Sequence, residues 1–101
     1  MTIDPREVRI TMKAVGIREY LPISDEASLL DLDIPKPLAR GRDLLVAVEA
    51  IAVNPVDTKV RAPKSKVEDP PRILGWDAAG VVEAVGPDVT QFSPGDEVFY
   101  A

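Results

Sequence analysis

Hydrophobic and polar side chains alternate along several stretches of the chain, and that alternation sets the first expectation for its secondary structure. From Met12 to Tyr20 (MKAVGIREY), Val15 and Ile17 fall on the face opposite Arg18, as a half-buried strand requires. From Leu29 to Ile34 (LLDLDI) the alternation is stricter. Leu30, Leu32 and Ile34 share one face and Asp31 and Asp33 the other, because successive strand side chains point to opposite sides. Asp43 to Val53 (DLLVAVEAIAV) is apolar on both faces except at Glu49, which predicts a central strand covered on each side, the best core strand of the chain. Gly75 to Val85 (GWDAAGVVEAV) resumes the apolar pattern as another buried strand, and Glu97 to Tyr100 (EVFY) opens a last one.

Breakers separate these stretches. Pro35 and Pro37 end the second strand because neither can donate a backbone hydrogen bond, and the ARGRD stretch around Gly41 reads as a turn. Asn54-Pro55 interrupts the long apolar strand, and VDTKVR predicts one or two helical turns, with Pro55 at the first helical position and Asn54 as the cap. Ala62 to Arg72 (APKSKVEDPPR) is charged, aperiodic and holds three prolines, which predicts a mobile surface loop. Gly86-Pro87-Asp88 and Ser93-Pro94-Gly95-Asp96 are turn sequences, the second fitting a type II turn. The expectation is a mainly β, partly open barrel over residues 12–101, preceded by an N-terminal extension or short edge strand at 1–11. The last strand is cut at Ala101, so the barrel is expected to be incomplete there. Its unpaired edge makes a homodimer, by strand pairing, a possible consequence.

Composition narrows what such a domain does. A chain of 101 residues supports one domain and one core, and 46% hydrophobic with 29% charged residues is the balance of a soluble globular protein. A net charge of −5 would repel a phosphate backbone, and no basic stripe interleaved with aromatics exists, which argues against nucleic acid. Cysteine and histidine are both absent, removing the usual ligands of zinc, copper and iron, any disulfide, and any Cys- or His-based catalytic pair. The start, MTIDPREVRIT, has no export signal, and no apolar run approaches the ~20 residues that span a bilayer. A cytoplasmic location without membrane contact is expected.

Three ordered stretches carry a resemblance. They are the long strand running into Val53-Asn54-Pro55-Val56-Asp57, then Leu74-Gly75-Trp76-Asp77-Ala78-Ala79-Gly80-Val81-Val82, then Gly86 through Pro94-Gly95-Asp96-Glu97-Val98. In that order and spacing the chain resembles the N-terminal, GroES-like catalytic domain of the medium-chain dehydrogenase/reductase superfamily. The zinc alcohol dehydrogenases of that superfamily carry a cysteine where Asn54 stands and Gly-His-Glu where Gly75-Trp76-Asp77 stands. Neither ligand is present here. The Asn-Pro-Val-Asp form instead resembles the quinone oxidoreductase branch, which implies zinc-free, NADPH-dependent reduction of quinones, enones or similar conjugated carbonyls.

By that resemblance Asn54 and Asp57 line the cleft near the nicotinamide and substrate, as catalytic and cofactor-binding residues. Lys59 is a candidate to stabilise an enolate oxygen, and Trp76 a candidate wall for a flat substrate. Each has a plainer reading from the residues themselves: Asn54 as helix cap, Asp57 as a first-turn acid, Lys59 as a solvated cation, Trp76 as a core anchor. No GxGxxG or P-loop occurs, so the Rossmann half that holds most of the nucleotide is expected to be missing from this chain. By itself the chain is then expected to bind NADPH weakly and to lack useful activity. Two alternatives stay open, a non-enzymatic GroES-like binding or oligomerisation module, and part of an enoyl thioester reductase.

Overall fold

The computed structural model describes residues 11–101. The extension expected over 1–11 lies outside the described residues except for Thr11, which opens the first strand. The elements run β1 (Thr11–Tyr20), a single 3-10 turn (Glu26–Ser28), β2 (Leu30–Pro35), β3 (Leu44–Ala52), α1 (Pro55–Arg61), β4 (Lys64–Ile73), β5 (Asp77–Val85) and β6 (Glu97–Tyr100). The fold is mainly β, as expected, and its strands form two antiparallel three-stranded sheets ordered β2-β1-β4 and β3-β5-β6. They belong to two units, one comprising the described residues up to Lys36 with Asn54–Leu74, the other Pro37–Val53 with Gly75–Ala101.

The first unit is built on β1. Its pairing with β2 runs from Thr11 opposite Pro35 to Gly16 opposite Leu30, and Leu30, Leu32 and Ile34 are half-buried while Asp31 and Asp33 face water. Lys13 and Asp33 stand directly opposite and form an exposed ion pair at 2.6 Å. On the other side of β1, the expected mobile loop is a strand. β4 pairs with Gly16, Ile17, Glu19 and Tyr20, with register shifts between Ile17 and Glu19 and between Glu19 and Tyr20. Residues 68–71, including Pro70 and Pro71, fall within the first shift, where no ladder hydrogen bond is asked of the proline nitrogens. The sequence pattern missed this strand because β4 has no hydrophobic period of its own and is ordered by its partner. Ile17 and Tyr20 are the buried apolar side chains among the described residues of this unit.

The second unit corrects another expectation. The apolar strand predicted to be central, β3, is at the edge of its sheet, and Ala47 to Ala52 are exposed. β5 is central, and its Val82 is buried. An apolar run records which surfaces resist water; which strand receives two neighbours depends on the pairing of the whole sheet. Glu49, the one charge in β3, sits at a register shift between Val48 and Ala50, outside the regular ladder. Gly80 lets β5 approach β3 closely, since a Cβ there would run into the carbonyl of Ala47. The predicted type II turn is present: Asp96 N–H donates to the Ser93 carbonyl at 3.1 Å, with Gly95 at φ 98°. This turn docks on β5 through Val82, whose N–H donates to Asp96 O and whose carbonyl accepts Gly95 N–H, both at 2.8 Å.

Candidate functional site

The Asn54-Pro55-Val56-Asp57 stretch leaves the end of β3 and opens α1, as the proline and the cap signal predicted. Asn54 is extended, and Asp57, three residues on, turns its carboxylate back so that Oδ2 accepts the Asn54 backbone N–H at 2.7 Å. Asp57 N–H closes on the Asn54 carbonyl at 2.9 Å. This is the capping spacing of an acid at the third helical position, and it was legible in the sequence. The second carboxylate oxygen, Oδ1, is buried and has no hydrogen-bond partner in the structure. A buried acceptor of this kind is rare and calls for a donor.

Asn54 and Asp57 are therefore brought together. Lys59 is not joined to them: two residues along a helix rotate the side chain by about 200°, and Lys59 is exposed where Asp57 is half-buried. Trp76 belongs to the other unit, directly after Gly75 at φ 103°, and is 40% exposed. Trp76 is not among the fully buried side chains, whereas Val82 of the same unit is. The paired strand ends of this second unit frame an apolar groove of about 420 Å³ lined by Ala50, Ala52, Ala78, Ala79, Phe99 and Tyr100 among others. The sequence did not single out Phe99 and Tyr100. Only the register that sets Ala79 opposite Phe99 and Ala78 opposite Tyr100 makes the groove, and no local signal announces it.

Elsewhere in the first unit a polar cluster surrounds Tyr20. Its hydroxyl donates to Glu68 Oε1 at 2.6 Å and accepts from Arg72 Nη1 at 3.3 Å, while the Lys64 ammonium lies 4.3 Å from the ring centre. The Tyr20 hydrogen bond, then that from Lys66, holds the Glu68 carboxyl below its usual range. No group of three or more Asp, Glu, His or Cys side chains able to hold a metal exists among the described residues. No helix of the described residues is long and apolar enough to cross a membrane.

The described residues thus form a mainly β domain of two open antiparallel sheets, with a capped Asn-Pro helix start between β3 and β4. The chain belongs to the alcohol dehydrogenase GroES-like domain family, which matches residues 40–101, and so to the medium-chain dehydrogenase/reductase superfamily. It is 49% identical over 90 residues to a zinc-type alcohol dehydrogenase-like protein of Staphylococcus aureus, covering 89% of this chain and 26% of that protein. It is 40% identical over 85 residues to the quinone oxidoreductase of Sus scrofa, covering 83% of this chain and 26% of that protein. Among solved structures, a protein assigned as a zinc-dependent alcohol dehydrogenase from Rhizobium etli superposes with a TM-score of 0.84 at 58% identity, covering 91% of this chain and 26% of that one. The chain thus spans about a quarter of the length of the relatives it matches.

Proposed function

We propose that this domain is the substrate side of an NAD(P)H-dependent reductase of quinones, enones or similar conjugated carbonyls, working without zinc. The observation that carries the reading is the Asn54–Asp57 pair, with a buried carboxylate oxygen lacking a donor, in a chain without cysteine or histidine. The similarity to a quinone oxidoreductase supports it. Asn54 and Trp76, at the places where zinc relatives carry ligands, do not fit a zinc ion, because an amide and an indole supply neither thiolate nor imidazole.

A reduced nicotinamide does fit the pair. The Asp57 Oδ1, buried and without a partner, can accept from an amide or hydroxyl donor. When bound, the cofactor supplies the hydride; the protein orients the reacting faces and keeps water out. Trp76 offers an exposed aromatic face to a flat substrate. Lys59 is the weakest of the four candidates, since its exposure favours the solvated-cation reading. Most of the nucleotide would be held by a Rossmann domain outside residues 12–101. The reading also includes a cytoplasmic setting and self-association through the open edges of β3 and β6, which light scattering across a concentration series tests.

The test is turnover by the natural polypeptide with NADPH and three substrates: a quinone, an enoyl thioester, and, in the reverse direction, a simple alcohol with NADP. Quinone reduction unaffected by chelators, and reduced about tenfold or more by Asp57→Ala, is the expected result. Chelator-sensitive alcohol oxidation would defeat the reading. Preference for the enoyl thioester would transfer the same site to the second enzyme class.

A further inference from the structure

The helix that carries the candidate pair has little to hold it. α1 is seven residues long, has no fully buried residue, and among the described residues makes no extensive contact with any strand. Two turns are too few to persist alone, and the apolar pair that α1 offers a neighbour, Val56 and Val60, is only partly buried. The Asp57–Asn54 cap shapes the first turn, but it is local and cannot fix where the helix lies.

The long-range tie is at the other end. Arg61, in the last turn, donates from Nη1 to the carbonyl of Leu21 at 2.9 Å, across 40 residues of sequence. Leu21 directly follows Tyr20, which is 3% exposed and is held by Glu68 and Arg72 of β4. A half-buried guanidinium is suited to such a strut because its planar, always charged head keeps its geometry. We infer that Arg61 is a positioning residue for the candidate site: by tying the C-terminal end of α1 to the Tyr20 anchor, it sets where Asn54 and Asp57 are presented at the N-terminal end. This rests on the reading of those two residues as the cofactor-facing pair. All the groups involved belong to the same unit.

The experiment replaces Arg61 in the natural polypeptide, as Arg61→Ala and as Arg61→Met, the latter keeping much of the aliphatic stem in case the smaller variant fails to fold. Two quantities are measured: hydrogen exchange at the Asn54 and Asp57 amides against that at Ile17 and Arg72, and kcat and KM with NADPH and a quinone. Exchange at Asn54 and Asp57 is expected to rise about tenfold with β1 and β4 unchanged. The same variants are expected to lose about tenfold in kcat/KM, through kcat as well as KM. Unchanged exchange at the pair, an equal rise across β1 and β4, or an unchanged kcat/KM in an active protein overturns the inference. Absence of turnover in the unsubstituted protein defeats the proposed function instead, and the exchange measurement then decides the role of Arg61 by itself.

Discussion

The two units of this domain are stabilised in different ways. In the unit built on β1, directional side-chain contacts hold irregular backbone together: Tyr20 with Glu68 and Arg72 where β4 slips register, Arg61 with Leu21, Asp57 with Asn54. In the unit built on β5, the strands are brought close by small residues and tight turns, with Gly80 against Ala47 and the Ser93–Asp96 turn bonded to Val82. The second sheet also shows apolar surface: Phe99 is 89% exposed, Ile51 72%. Polar hydrogen bonds can specify a unique irregular geometry, whereas close backbone approach fixes the spacing of two strands and leaves the sheet's outer face to whatever covers it.

The largest effect is expected from Gly80→Val. A side chain there must displace the Ala47 backbone, and a destabilisation of about 3 kcal/mol is expected in urea titrations followed by circular dichroism. A tolerated valine would show that close approach is not what holds the second sheet. Next in size is Tyr20→Phe, which keeps the buried ring and removes the hydroxyl that Glu68 and Arg72 share. The thermal midpoint should fall by about 5 °C, the shift that one lost hydrogen bond produces in a domain of this size.

The same substitution sharpens the comparison through pH. Because the Glu68 carboxyl is lowered in the folded state, chiefly by Tyr20, it contributes stability above its ordinary value of 4.5 and loses it as pH falls through the lowered one. A series of melting curves from neutral to acidic pH should show that decline in the unsubstituted protein and a shallower one in Tyr20→Phe. The smallest expected effects are at exposed cations. Lys59→Ala should change stability by less than about 0.5 kcal/mol. Loss of the exposed Lys13–Asp33 pair should be detectable, if anywhere, only at low salt. A large effect at Lys59 on quinone turnover would return it to the site.

The sequence by itself determined the local elements whose cause is local. β1, β2 and β6 follow the alternation of their own side chains, and the helix start follows Asn54, Pro55 and Asp57, because capping and proline geometry act within four residues. The turns at Gly41 and Ser93–Asp96 likewise need only their own residues. Tertiary structure alone decided that a proline-rich, aperiodic segment becomes β4, since only β1 supplies its ladder, and that β3 is an edge and β5 the centre. It alone made the alanine-lined groove, buried the Asp57 Oδ1 and set Arg61 against Leu21. These features depend on strand register and on residues far apart in sequence, Gly16 with Ile73 and Arg61 with Leu21 among them, and no periodicity along the chain records which distant backbone a side chain will meet.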